Sequence, residues 1–297
     1  MSVLFIGQST YDMIMSTPGR IIENQKKRAT SRIQMIGGPA TCACGVCSKW
    51  GIKSYLLSRV GDDFIGDGLI SELKKYRIDT AYVKRLENAN SAFSTVVLHE
   101  DNGNRTIFND AGDLREVEFD VPSDVKILEF DGHEVEACKK ALKNNPDAIS
   151  VLDGGSVRKE TLTLAKLVDY LVCSNDFANQ YYEKELDIND MDDVKKCFVK
   201  LHELCDNVVI TVGEHGAFFE EDDQIRHIEG FKVEVRDTTG AGDVFHGAFV
   251  YGLYNNLSLS DTVRLACAAS ALSITHVGGI ASIPTIEEAK ELIKRNS

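Results

Sequence analysis

Two hydrophobic rhythms divide the chain. The first consists of short, mostly apolar runs: Ser2–Gly7, Val125–Phe130, Ala148–Leu152, Leu171–Asn175 and Val208–Val212. Polar or glycine residues stand at or just beyond their carboxyl ends: Gly7, Asp131-Gly132, Asp153-Gly154-Gly155, Ser174-Asn175 and Gly213-Glu214-His215-Gly216. Segments with helical spacing separate them, among them Gly66–Tyr76 and Glu134–Leu142. Strands buried on both faces and alternating with helices predict a parallel, doubly wound sheet. The second rhythm is apolar–polar alternation. It occupies Met13–Met35, broken by Pro18-Gly19, and Ser91–Ile107, around Asp101-Asn102-Gly103-Asn104. Asn-Gly between alternating runs predicts a hairpin. Alternation implies one wet and one covered face, so these segments predict a small β layer outside the main sheet, over a ligand or a second copy of the chain.

One stretch departs from both rhythms: Asp237-Thr238-Thr239-Gly240-Ala241-Gly242-Asp243, running into Val244, Phe245, Ala248, Phe249 and Leu253 on one side of a helix. A glycine turn that opens a helix presents unpaired N–H groups at the positive end of the helix dipole, which makes an anion site. An aspartate beside such a site gains nothing from the anion. It makes sense as the acceptor of a proton from a hydroxyl that attacks a phosphate. As an ordinary early-helix residue, Asp243 would simply cap the turn. Gly240–Phe245 lacks the third glycine of a dinucleotide fingerprint, and the chain carries neither a Gly-Lys-Ser/Thr P-loop nor the protein-kinase His-Arg-Asp and Asp-Phe-Gly pair. Asp12, past the first strand, and the Gly37-Gly38 turn, opening a second helix through Cys42 to Trp50, lie where open α/β sheets bind ligands.

Composition narrows the partners. The 297 residues carry a formal net charge of −13, which argues against nucleic acid and anionic membranes. No apolar run approaches a membrane span, and the first residues lack the basic region of a signal peptide. Eight cysteines without a secretory signal suggest reduced thiols and a cytoplasmic protein. Cys42, Cys44 and Cys47 lack a fourth ligand at zinc spacing and read as small packing groups on a helix.

The Asp237–Phe249 run fits, without a gap, the second signature of the PfkB or ribokinase family of carbohydrate kinases. The resemblance spans nearly the whole chain. It implies one ribokinase-like α/β domain over residues 1–297, a doubly wound, mostly parallel sheet flanked by helices, with a lid made of residues 13–36 and 91–110. It further implies transfer of the γ-phosphate of Mg-ATP to a sugar hydroxyl, with Asp243 as base, ionised by the helix terminus, and the N–H groups of Gly240, Ala241 and Gly242 as anion hole. Asp12, Gly37, Gly38, Cys42, Asn109 and Asp131 fall at sugar-contacting positions, although the family usually carries Asn where Cys42 stands. Asn175, Thr211, Gly213, Gly216 and His276 fall at nucleotide positions, with Ala178 where a metal-associated Glu is usual. Asp237, Thr239, Ser273, Gly278 and Ser282 match a loop that wraps K⁺ in many members. A homodimer through the lids is implied as well. Residues Phe231–Ala248 look closest to ketose-type kinases, and no cationic anchor for a sugar phosphate is evident after Phe130. Two alternatives remain: a nucleoside kinase, with Phe93 and Phe108 as an aromatic slot for the base, and a sugar-sensing protein without catalysis.

Overall fold

The structure is a computed structural model that describes residues 2–101 and 105–296. From the amino terminus come β1 (Val3–Ile6), β2 (Thr10–Thr17), β3 (Ser31–Gly37), α1 (Pro39–Lys49), β4 (Ser54–Gly61), α2 (Phe64–Lys75) and β5 (Asp79–Leu86). Then follow β6 (Phe93–His99), β7 (Arg105–Asp110), β8 (Ile127–Phe130), α3 (Val135–Asn144), β9 (Ile149–Gly154), α4 (Lys159–Ala165), β10 (Tyr170–Ser174), α5 (Asn175–Tyr182) and α6 (Met191–Leu201). The chain closes with β11 (Asn207–Thr211), β12 (Ala217–Glu221), β13 (Gln224–Ile228), α7 (Ala241–Tyr254), α8 (Leu259–Ser273) and α9 (Ile286–Arg295).

The main sheet has nine strands in the order β13-β12-β11-β10-β9-β8-β1-β4-β5. It is parallel from β11 to β5, and β12 and β13 continue it as an antiparallel edge. Successive side chains of a strand point to opposite faces, and β1 shows the consequence. Val3 and Phe5 enter one core, with α1, α7 and α8, while Leu4 and Ile6 enter the other, with α3, α5 and α6. Both faces are therefore buried, as the apolar runs predict. The expected strands form within two residues of their predicted ends, except that Asn175 opens α5 instead of ending β10.

The alternating segments pair into a separate four-stranded sheet, β3-β2-β6-β7. Its hairpins β2–β3 and β6–β7 are antiparallel, and β2 and β6 join in parallel. Residues 102–104 of the expected Asn-Gly turn lie outside the described residues. Two helices aim their first turns at the space beneath this sheet: α1, capped by Gly38, and α7, capped by Gly240. They pack closely, because a Cβ on Gly247 would sit 2.5 Å from the Ala43 carbonyl oxygen, and the Cys47 thiol donates to the Gly247 carbonyl at 3.3 Å. The expectation that the cysteines are packing groups fits this picture: all eight are free and buried.

Candidate active site

The glycine turn expected to hold a phosphoryl group is the entry to α7. Gly240 caps the helix at φ 77°, a left-handed conformation, and a Cβ there would lie 3.0 Å from Gly279 Cα, so only glycine fits. The first intrahelical bond is from Val244 N–H to the Gly240 carbonyl at 2.9 Å. The N–H groups ahead of it are free for a ligand, apart from that of Ala241, which makes a long bond of 3.3 Å to the Thr238 carbonyl. Of the three expected anion-hole donors, Ala241 is thus turned partly inward. Nothing lies within 4 Å of where a Gly242 side chain would begin, so this backbone faces open space.

Asp243 follows in the first turn of α7. Burial, and after it the neighbouring Asp153 carboxylate, push its pKa up to about 7, while His246 and a hydrogen bond with the Cys42 thiol oppose the shift. This corrects the expectation that the helix terminus keeps Asp243 ionised: desolvation and a like charge outweigh it. A base poised near neutrality is matched to proton transfer at physiological pH.

The residues expected to contact the acceptor come from the lid and α1, apart from Asp131. Asp12 is not in a turn beyond β1, as its sequence position suggests. It is the third residue of β2, so the lid itself delivers it. Thr10 Oγ1 donates to Asp12 Oδ1 at 3.3 Å, and burial raises the Asp12 pKa. Met35, Asp12, Ser94 and Asn109 form one row across the four lid strands, and Asn109 Nδ2 donates to Ser94 Oγ at 3.1 Å. Cys42, in the first turns of α1, lies between Asp243 and Asp12 and feels both charges. Phe93 pairs with Tyr11 and Phe108 with Thr95, one position to either side of the Asp12 row. Their side chains therefore point to the opposite face of the lid, where Tyr11 packs near Gly68 of α2, and they form no aromatic slot beside Asp12.

Asp131 also departs from expectation. Its side chain is 0% exposed. It accepts from Gln8 N–H at 2.8 Å, His133 N–H at 3.0 Å, His133 Nδ1 at 2.9 Å and, at 3.4 Å, Ala40 N–H in the first turn of α1. With its oxygens so engaged it anchors α1 to β1 and holds no sugar hydroxyl. The bond to Asp131 raises the His133 pKa. Arg158, which the sequence reading passed over, completes this knot by donating to the Asp131 carbonyl at 3.2 Å. Its signal was present: Asp153-Gly154-Gly155-Ser156-Val157-Arg158 puts a cation just past the carboxyl end of β9.

A cleft of about 780 Å³ opens on the other side of the α7 entry. Thr211, Gly213, Gly216, Thr238, Ala241 and Gly242 line it beside apolar walls from Phe231, Val233, Val235, Phe245 and Ile274. Asn175, the first residue of α5, follows Ser174, the strand partner of the cleft-lining Thr211, and its buried Oδ1 has no hydrogen-bond partner. Ala178, at the usual Glu position, is sealed in the core. His276 is exposed, pairs with Thr275 Oγ1 at 2.8 Å, and does not line the cleft. The loop expected to hold a monovalent cation does come together. Asp237 accepts from Thr239 N–H at 3.0 Å, Thr239 Oγ1 at 2.7 Å and Gly278 N–H at 3.1 Å. Several of its oxygens are already committed. The Gly278 carbonyl accepts from Ala281 and Ser282 N–H, and the Ser273 and Ser282 hydroxyls donate to the Ser270 and Gly279 carbonyls. Among the described residues, no helix is long and apolar enough to cross a membrane.

Comparison with known proteins agrees with this geometry. The profile of the pfkB family of carbohydrate kinases matches residues 1–286. A deoxyribokinase of Salmonella typhi is 27% identical over an alignment of 321 positions covering 100% of both chains. A ribokinase of Lactococcus lactis is 36% identical over 160 residues, 53% of this chain and 49% of that one. Among solved structures, Arabidopsis thaliana ribokinase complexed with ribose and ATP superimposes with a TM-score of 0.84 at 20% identity, covering 99% of this chain and 98% of that one.

Proposed function

The chain belongs to the pfkB family of carbohydrate kinases, phosphotransferases that act on a sugar hydroxyl, and we propose that it moves the γ-phosphate of ATP to a ketose or ribose-like sugar with Asp243 as general base. The observation that carries this reading is the position of Asp243. It shares the first turn of α7 with the cleft-lining Gly242 and touches Cys42, which also lies near Asp12. One carboxylate thus stands between a cleft of nucleotide size and a polar acceptor site.

In this reading the adenosine part lies along Thr211, Gly213 and Gly216, and Asn175 serves the phosphate region. The free N–H groups at the start of α7 take up charge on the transferred phosphoryl oxygens. Asp12 and the Gly37-Gly38 backbone hold sugar hydroxyls and turn one toward Asp243. As that hydroxyl oxygen forms its bond to the γ-phosphorus, the bond to the ADP oxygen breaks and the hydroxyl proton passes to Asp243. Mg²⁺ bound with the triphosphate supplies charge neutralisation; on the protein's side the unpartnered Asn175 Oδ1 fits that group, and Ala178 cannot contribute. The Asp237–Thr239 turn and the Ser273–Ser282 loop are the proposed seat of a K⁺ ion. The lid offers a reason for dimerisation. Ile33, Ile14, Val96 and Ile107 form an apolar row on the Asp12 face, and Ile107 is 59% exposed, so a second copy is the proposed cover.

The test is an ADP-release screen of purified protein against ketoses, aldoses, sugar acids, phosphosugars and nucleosides. Turnover with a sugar and its loss in Asp243→Asn support the reading. Faster turnover of nucleosides replaces the substrate class, and sugar binding without ADP release makes the protein a sensor.

A further inference from the structure

Behind the catalytic end lies a cluster that the reaction does not use. Glu129 sits in the middle of β8, in register with Phe5 and Val151, so its side chain leaves the sheet on the face covered by α7. Asp153, two residues beyond Val151, leaves β9 on the same face. His246 comes from α7, one turn past Asp243. Glu129 is 0% exposed and His246 4%. One ligand atom from each of Glu129, Asp153 and His246 lies within 4.8 Å of the other two, and His246 Nε2 is 3.3 Å from Asp153 Oδ1. Both Glu129 carboxylate oxygens and His246 Nδ1 lack any hydrogen-bond partner.

Such an arrangement is costly as it stands. An unpaired buried carboxylate loses its hydration and recovers nothing. Burial pushes Glu129 well up from the ordinary range and holds His246 down at about 4, so the imidazole is neutral and offers a lone pair instead of a countercharge. Asp131 and Asp243 add further negative charge around the cluster, and Arg158 and then His133, both acting on Asp153, oppose it. The components are two carboxylates and one neutral imidazole, converging and sealed from bulk water except at Asp153, whose side chain is 12% exposed.

We propose that Glu129, Asp153 and His246 form a binding site for a divalent transition cation, Zn²⁺ or Mn²⁺, buried one turn behind Asp243. One nitrogen and two carboxylate groups suit these ions. Mg²⁺ prefers a nearly all-oxygen octahedral shell with several waters, which an imidazole ligand does not suit. Tetrahedral bonds of about 2.0–2.2 Å set two ligands of one ion about 3.3–3.6 Å apart; His246 Nε2 and Asp153 Oδ1 already stand at 3.3 Å, and Glu129 completes the set by moving inward within the 4.8 Å that now bounds the group. The side of the site open at Asp153 provides entry. The ion takes up the unpartnered carboxylate oxygens of Glu129 and places a positive field behind the base. The proposal stands on this geometry alone and does not depend on which acceptor the enzyme phosphorylates.

Wild-type protein is loaded with Zn²⁺ or Mn²⁺ alone, stripped of loosely held metal on a chelating resin, and analysed for metal content, thermal unfolding and anomalous diffraction from crystals. The expected result is one retained ion per chain, a higher Tm, and an anomalous peak between Glu129, Asp153 and His246. Glu129→Gln should weaken retention at least about tenfold. No peak at that position, a peak only at Cys42–Cys47 or on the surface, or undiminished retention in a folded Glu129→Gln protein overturns the proposal. Diffraction from the wild type decides the matter even if the variant does not fold.

Discussion

The two ends of the proposed site are made in different ways. The phosphoryl end is one continuous peptide, Asp237 to Asp243, whose geometry follows from local rules: a buried aspartate closing a turn, a left-handed glycine cap and a helix start. The acceptor end is pieced together from β2, β6, β7 and the start of α1, and depends on strand register. A local motif tolerates little change, because each residue serves backbone geometry and chemistry at once. A site spread over separate segments can change one contact at a time. Cys42 in place of the usual Asn is such a change, made beside an intact Asp243.

If the two ends differ in this way, damage to the first should abolish turnover and damage to the second should alter substrate choice. The largest effect is expected for Asp243→Asn, which keeps shape but cannot accept the proton: kcat should fall about 10²–10⁴-fold with nucleotide binding retained. Near-normal turnover in the purified variant would remove Asp243 from the base role. Next comes Gly242→Val. A Cβ at this position meets no protein atom within 4 Å, and Gly242 lines the cleft. The loss should be about 2.7–4 kcal/mol of transition-state stabilisation, with little change in Tm; unchanged kcat/KM would put the phosphate elsewhere. Asp12→Ala, at the acceptor end, should raise the sugar KM by about 10–100-fold, the worth of hydrogen bonds to a charged group, and leave the KM for ATP alone. An equal effect on both would erase the division between the ends.

Two gentler tests sharpen the comparison. With the Asp243 pKa raised to about 7, kcat/KM should fall about tenfold per pH unit below that value, because only the ionised form accepts a proton. Stability should move the other way. A carboxyl that binds its proton more tightly folded than unfolded stabilises the fold at low pH, and this contribution disappears as pH climbs from the ordinary aspartate range through about 7. Asp243→Asn should accordingly gain Tm relative to wild type at pH 8 and lose that advantage at pH 4; a constant difference would mean that the group is not shifted. Ile107→Lys, on the exposed apolar row of the lid, should turn a dimer into a monomer by light scattering with the smallest effect on kcat. A wild-type monomer defeats the dimer proposal without touching the site.

What the sequence disclosed follows the same division. The Gly240–Asp243 turn and the doubly wound sheet were legible because they rest on contiguous residues and on period. Asp12 stands out as an acid past the first strand but falls outside the lid, which is expected from residue 13, since nothing local says that β2 begins at Thr10. Phe93 and Phe108 were grouped with the acceptor site because only the register reveals that they leave the lid on its other face. Asp131 falls among the expected sugar contacts because the family resemblance puts one at its position. Its partners Gln8, Ala40 and His133 are distant or featureless in sequence. His246 did carry a visible signal, a lone polar residue among Val244, Phe245, Ala248 and Phe249, but its companions Glu129 and Asp153 lie on strands far away in the chain.

The contact between α1 and α7 at Gly247 has a metrical consequence. Each helix brings one jaw of the proposed site: α1 carries Cys42 and the Gly37-Gly38 entry, and α7 carries Asp243 and the Gly240–Gly242 turn. With the Gly247 backbone lodged against Ala43 and Val46, the jaws cannot slide apart without breaking that fit. The pair works as a caliper set to one gap, and the lid can only choose what enters. An acceptor is thereby measured by the span from its held hydroxyls to its reacting one, and enlarging Gly247 should reset that gauge without altering any residue that touches the substrate.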